Sequence, residues 1–325
     1  MPVHPTRREF VASAAAAAAF ASGSAFADTY PSHPIRLIVP YSPGGGGDIM
    51  ARILAPAMGK ILKQTVVVEN KPGASAIIGT ELVSHAAPDG YTLLLTQNDP
   101  VINAAVYQNL PYDTLGSLTP ISKLATFPFY LAVKVSSPFK TVEDLVTFAR
   151  AHPEKANFAS TGAVFWLVCE LFAQKTGLNL TRVTYRGGGA MVLAVISGEV
   201  LFTFAGAAPI TGAASAGTIR LLASTASRRE AAFPNVPTFA EVGIPGMTIL
   251  SWSSLWAPAK LPAAILDTVS KAARQAVAMP DVVAEMKRVR VDPDGSTPEQ
   301  FKRSFAAELA MWKDVAKKAG ISAKL

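Results

Sequence analysis

Four consecutive glycines, Gly44 to Gly47, followed at once by Asp48, form the stretch of this 325-residue chain best equipped for chemistry. Glycine adopts backbone angles closed to other residues, so the amides of such a loop can turn inward and approach a ligand closely. Asp48 is a good helix N-cap, and Ile49, Ile53 and Leu54 begin a helical apolar stripe. Unpaired N–H groups at the positive end of a helix dipole suit an anion, carboxylate or phosphate. The same glycines could equally form a flexible turn. A second glycine run, Arg186-Gly-Gly-Gly189, precedes another apolar segment.

The other reactive residue types do not assemble. His33, His85 and His152 stand far apart, without metal-ligand spacing, and read as surface or turn histidines. Cys169 is the single cysteine, so no disulfide forms within the chain; its apolar neighbours make it a small buried residue rather than a nucleophile. Residues 73–77 lack the second glycine of a nucleophile elbow, and no Gly-Lys-Ser/Thr closes the glycine loop. No catalytic residue, metal or cofactor is expected. One rival is an exported oxidoreductase holding a dinucleotide at Gly44–Gly47, because Glu69 ends the next strand about twenty residues on. The glycine register argues against it: Ile49 and Met50 stand where small residues should allow close helix packing.

These residues need elements to position them. Residues 35–39 are an apolar, β-branched run that reads as a buried strand, stopped by Pro40 and Pro43. A helix over 48–62, a strand over 65–69, a helix over 77–86 and a strand over 91–96 follow. This alternation predicts a largely parallel sheet covered by helices, with ligands beyond the carboxyl ends of the strands. Those ends fall at Tyr41-Ser42, Asn70 and Thr96-Gln97, so their loops should converge. Residues 125–135 read as a strand leaving this unit, and Thr141-Val-Glu-Asp144 resembles a capping box. A second unit repeats the rhythm: strands over 156–159, 182–185, 200–205 and 219–224, helices over 165–175 and 190–196. An alternating strand over 248–257 carries Trp252 and Trp256, and helices over 263–278, 280–289 and 298–319 finish the chain.

The length accommodates two domains, and 50% apolar with 16% charged residues means a folded, globular chain. The net charge of +7 is dispersed, with no basic cluster interleaved with aromatics, so nucleic acid is not an expected partner. Thr6-Arg7-Arg8-Glu9-Phe10-Val11, an alanine-rich segment and Ala25-Phe26-Ala27 predict a twin-arginine-type signal peptide over 1–27, cleaved before Asp28.

Several stretches together resemble the Bug family, the solute-binding proteins of tripartite tricarboxylate transporters. They are Pro43-Gly-Gly-Gly-Gly-Asp48 with Ala51-Arg52, Val68-Glu-Asn-Lys-Pro-Gly-Ala74, Pro88-Asp-Gly-Tyr-Thr-Leu-Leu94, Leu110-Pro-Tyr-Asp113 and Pro234-Asn-Val-Pro-Thr-Phe-Ala-Glu-Val-Gly243. Trp252 with Ala257-Pro258 also matches, so the resemblance spans nearly the whole mature chain. It implies a type II periplasmic-binding-protein (Venus flytrap) fold, two α/β domains joined by two crossover segments. Domain 1 would take 28–127 and 226–325, and domain 2 128–225. It also implies a periplasmic monomer that closes on a small organic anion and passes it to membrane transporter subunits or a sensor. Some relatives would hold a ligand with no dedicated transporter.

Carried over residue by residue, the resemblance makes Tyr41, Ser42, Pro43, Gly44 and Gly45 one carboxylate loop, and Ala74 the second wall of that subsite. Thr96, Gln97 and Asn98 come from the third strand end. Ser160, Thr161, Gly162 and Phe165, with Ala205, Gly206 and Ala207, come from the second domain. Asp48 caps its helix rather than touching an anion. Ala163, Val164, Trp166 and Leu167 stand where the family usually has Gly-Ser then His-Leu, and Ala194 replaces a usual Asp. This half of the pocket is therefore expected to favour one carboxylate with a less polar or aromatic remainder. Trp166 is read as core packing.

Overall fold

The computed structural model describes residues 30–323; the signal-peptide reading of 1–27 lies outside them. Two mixed sheets organise the chain. β1 (Ile35–Val39) runs parallel to β2 (Val66–Asn70) on one side and β3 (Thr92–Thr96) on the other. Two antiparallel strands, β4 (Leu118–Pro128) and β10 (Leu250–Pro258), extend this sheet, and the two-residue β11 (Asp292–Pro293) closes its far edge. The second sheet has the order β7-β6-β8-β5-β9, built from β5 (Tyr130–Lys134), β6 (Asn157–Ser160), β7 (Thr181–Thr184), β8 (Phe202–Ala205) and β9 (Ile219–Ser224). Its central β6 and β8 are parallel.

The expected strand over 125–135 is two strands in two sheets. β4 ends at Pro128, and β5 begins at Tyr130. Pro128 has no N–H to carry the ladder further, and the chain changes sheets there as its pairing passes from β10 to β8. It returns after β9 through an irregular segment that leads to β10. The two crossings are tied together at Thr225. Its hydroxyl accepts from Phe129 N at 2.9 Å and donates to the Ile249 carbonyl at 2.6 Å, and its own N–H reaches Phe129 O.

The helices are α1 (Gly46–Leu62), α2 (Ile77–Ser84), α3 (Asp99–Val106), α4 (Val142–Ala151), α5 (Gly162–Thr176), α6 (Gly188–Ser197) and α7 (Ala207–Ser215), then α8 (Ala263–Ala278), α9 (Pro280–Arg288) and α10 (Pro298–Lys318). Sequence reading missed α3 and α7, whose Asp-Pro and Ala-Ala-Pro starts look like turns but are favourable first-turn positions for proline. The capping box predicted at Thr141 forms with Asp144 and opens α4. α10 buries the first sheet's tryptophan strand. Trp256 meets Phe301 and Phe305 edge-on, with ring centroids 4.7 and 5.3 Å apart, and Trp252 meets Phe301 at 5.5 Å. Phe172, Phe202, Phe204 and Phe239 form the matching core of the second sheet. Cys169 is fully buried there, and burial pushes its thiol well up, which keeps it unreactive. Among the described residues no helix is long and apolar enough to cross a membrane.

Candidate functional site

The carboxyl ends of β1, β3, β6 and β8 all open on one cleft between the two sheets. A cavity of about 440 Å³ is lined by Tyr41, Ala74, Gln97 and Asn98 from the first domain and Thr161, Gly162 and Phe165 from the second. Gln97 and Phe165 also border an adjoining hollow of about 580 Å³, which reaches Gly44, Gly46, Gly206 and Ala207. Six helices start on this cleft: α2, α3 and α5 at the cavity, and α1, α6 and α7 at the hollow. Each start carries N–H groups without an intrahelical acceptor and a partial positive charge of roughly half a unit. No Lys, Arg or His side chain lines the main cavity.

The loop that begins the site differs from expectation in one respect. Asp48 is not the N-cap of α1; Gly45 is, because the helix starts at Gly46. From its third helical position Asp48 reaches back to Gly44 N, and it also receives Arg52 Nε and Asn70 Nδ2, each at 2.9 Å. Arg52 foremost, with these amides, lowers its pKa to about 2. Gly44 N is thereby engaged, and Gly45 N bonds to Ser42 O at 3.2 Å, which leaves the first-turn amides of α1, from Gly46 onward, without intrahelical acceptors.

Tyr41 is the hub of the wall. Its hydroxyl accepts from Gln97 N at 2.7 Å, contacts Thr96 Oγ1 at 2.9 Å and donates to Asp99 Oδ2. Burial, then the Asp99 charge, holds the phenol well above its ordinary range, so it stays protonated. Asp99 begins α3 and lines the cavity. Asn98 also lines the cavity, with both ends of its amide tied to the scaffold: Nδ2 donates to Glu308 of α10 at 3.1 Å, and Oδ1 accepts from Trp252 N at 2.9 Å and from Ser251 Oγ. Its place is in the scaffold of the wall.

Opposite Tyr41, Ala74, Ser75 and Ala76 take three successive left-handed conformations, with φ of 46°, 52° and 69°. Side-chain-bearing residues avoid this region at roughly 1–2 kcal/mol each, so the surroundings must hold it. Asn103 does so from α3, donating Nδ2 to Ser75 O at 2.9 Å, while Thr80 binds Ala76 O through both its N–H and its hydroxyl.

Of the sequence-predicted residues, Tyr41, Ser42, Ala74, Gln97, Asn98, Thr161, Gly162 and Phe165 line the cavity, and Gly44, Gly206 and Ala207 the hollow. The other five line neither. Thr96, Ser160 and Ala205 are fully buried at strand ends, with the Ser160 hydroxyl taking Arg182 Nε at 2.7 Å. Pro43 is exposed at the rim, and Gly45 folds back on Ser42. Reading the sequence missed Ser75, Asp99 and Asn103; a charge set directly after a strand's carboxyl end was the available signal for Asp99. Ala163, Val164 and Phe165 make the second-domain wall apolar, as expected. Trp166 turns away to stack under the Arg182 guanidinium, 4.1 Å from its ring centre, and donates to Glu170. The dinucleotide reading loses its acidic partner, because Glu69 pairs with Arg36 at 2.7 and 3.0 Å.

Known proteins share this architecture. BugT of Bordetella pertussis is 32% identical over 302 residues, 92% of this chain and 93% of BugT. The periplasmic binding protein BugD superimposes with a TM-score of 0.77 at 28% identity, covering 91% of this chain and all of BugD. Rpa4515 of R. palustris, solved with adipate, gives 0.80 at 30% identity over 91% of this chain and all of its own. Residues 50–321 match the profile described as "Tripartite tricarboxylate transporter family receptor". The two-sheet cleft, its converging helix starts and these likenesses make the chain a member of the tripartite tricarboxylate transporter receptor family, a solute-binding protein of the Bug type.

Proposed function

We propose that the protein is a non-enzymatic periplasmic receptor that captures a small organic acid by its carboxylate, closes on it and hands it to membrane transporter subunits or a sensor. The observation that carries this reading is the convergence of six helix starts, from both sheets, on a cleft whose main cavity holds no cationic side chain. Neutral amide donors bind a carboxylate without leaving a buried, unpaired cation once it departs. The ligand would touch Tyr41, Ser42, Gly44, Ala74, Gln97, Thr161, Gly162, Phe165, Gly206 and Ala207, and the apolar second-domain wall would take the remainder of the molecule. The adipate held by Rpa4515 supports a carboxylate ligand. Export through a cleaved signal within 1–27, a monomeric state, and closure of 128–225 over 28–127 and 226–325 complete the reading.

A thermal-shift screen of the mature chain against aliphatic, aromatic and amino-substituted carboxylates tests it. A ligand that binds only the folded state raises stability by about 2.7 kcal/mol at a hundredfold excess over Kd. Ala163→Asp places a carboxylate in the first turn of α5, where helix electrostatics tolerate it, and should abolish the shift without unfolding the protein. A shift that survives Ala163→Asp would place the ligand elsewhere.

A further inference from the structure

Asp99 is out of character in a cavity made for an anion. It lines the wall at the start of α3, half-buried, and its Oδ2 is held by the Tyr41 hydroxyl. The groups that face it are neutral or acidic. Tyr41, from the loop after β1, holds it directly, Thr96 and the Gln97 N–H, from the end of β3, bond that same hydroxyl, and Tyr112 lies close enough to feel its charge, as it feels that of Glu81 in α2. No Lys, Arg or His pairs with it among the described residues. The basic side chain of Arg290 borders the adjoining hollow rather than this cavity. Burial without a counter-charge pushes the Asp99 carboxyl up to about 6. At neutral pH it is still mostly ionised, and a ligand carboxylate entering the cavity would meet a like charge.

We propose that Asp99 recognises an ammonium group on the ligand, so that the cleft selects an amino acid with an apolar side chain over the carboxylic acid that lacks the amine. This rests on the carboxylate reading above and deepens it. The helix starts take the carboxylate, Asp99 takes the ammonium, and Ile102, Ala163, Val164 and Phe165 take the side chain. An ammonium supplies up to three donors and the missing counter-charge without any change in Asp99 ionisation at neutral pH. Binding a plain acid would instead require Asp99 to take up a proton.

Titration calorimetry of the mature protein with matched pairs tests this: leucine against 4-methylpentanoate, and phenylalanine against 3-phenylpropanoate, at pH 7.5 and 5.5. The amino acid should bind at least about tenfold more tightly at pH 7.5, a charge-assisted contact's worth. Asp99→Asn should narrow that ratio to within about threefold, weakening the amino acid and strengthening the plain acid, whose carboxylate no longer meets a like charge. Should this variant fold poorly, the wild-type ratio still decides. Equal or tighter binding of the plain acid, improving from pH 7.5 to 5.5, would overturn the ammonium assignment in favour of a proton while leaving the carboxylate reading intact. Binding of neither member of either pair, with shifts only for dicarboxylates, would overturn the ammonium assignment too. Silence toward every carboxylate would sink both readings.

Discussion

The ring of Tyr41 occupies the space that a side chain at position 47 would need. A Cβ added to Gly47 would sit 2.5 Å from Tyr41 Cε2 and nearer still to Cδ2. Glycine is therefore required there to let Tyr41 lie across the first turn of α1 and reach Gln97 and Asp99. Gly47→Ala should cost about 1–3 kcal/mol by overpacking and should also weaken ligand binding, because Tyr41 must swing away. Gly46→Ala is the control. Its Cβ meets only Gln97 Nε2, at 3.4 Å, and its backbone is not left-handed, so the unfolding temperature should hardly change. Equal effects of the two alanines in thermal unfolding would refute the Tyr41 explanation.

Asn103 should control the second wall through the Ala74–Ala76 turn. Asn103→Ala removes the donor to Ser75 O, at a cost of about 0.5–1.5 kcal/mol, because Ser75 is exposed and water can reach the carbonyl. With its clamp gone, the left-handed turn can relax, and ligand affinity should fall further than stability alone explains. Ala74→Gly tests the strain separately. Glycine adopts φ near 46° without penalty, so adding it to Asn103→Ala should recover part of the lost affinity. Unchanged Kd in Asn103→Ala would show that the turn holds itself.

Two carboxylates give stability opposite slopes with pH. The Asp48 pKa is lowered to about 2, so its contribution is present above the unfolded value near 4 and is lost as pH falls from there toward 2. Its partner Arg52 is 55% exposed, so solvent screening discounts the worth of the pair. The Asp99 pKa is raised to about 6, so its contribution is full below about 4 and is lost as pH rises through 6. Denaturant unfolding of the ligand-free protein should show Asp48→Asn removing the acid-side loss and Asp99→Asn removing the decline between pH 4 and 6. If the two variants' curves differed from wild type only by a constant offset, neither linkage would hold.

The elements that the sequence revealed are those with a strong local signal. The β-branched run Ile35–Val39, stopped by proline and followed by glycines, could only be a strand and a turn, and β9 was read residue for residue as Ile219–Ser224. The break at Phe129 was hidden because the apolar run continues through it; the change of sheet is decided by long-range pairing with β10 on one side and β8 on the other. In the site, Tyr41 was legible from its place at a strand's carboxyl end, and Gly162 through the resemblance of its turn to the family's ligand loop. Asn103 and Ser75 were not, because a helix interior and a left-handed turn 28 residues apart meet only through the tertiary fold. Asn98 was legible as a wall residue, but its engagement by Glu308, 210 residues away, was invisible.

The tie at Thr225 makes the final prediction. Its hydroxyl is the shared partner of Phe129 N and Ile249 O, so a single buried side chain joins the outgoing and returning crossings. Thr225→Val keeps the shape but leaves an N–H and a carbonyl unsatisfied, at about 1–3 kcal/mol each. Thr225→Ser keeps the hydroxyl and should lose much less. The loss should also have a domain character. With the crossings untied, the two sheets should unfold less as one unit, broadening the calorimetric transition and reducing the denaturant m-value of the main step. Scattering should then report a smaller ligand-induced compaction in Thr225→Val than in wild type, since the crossings no longer move together. A Thr225→Val protein that unfolds as sharply as wild type and compacts equally would mean that the sheets are coupled elsewhere, with the Gln174 Nε2 to Val315 O bond at 3.0 Å, between α5 and α10, the next contact to remove.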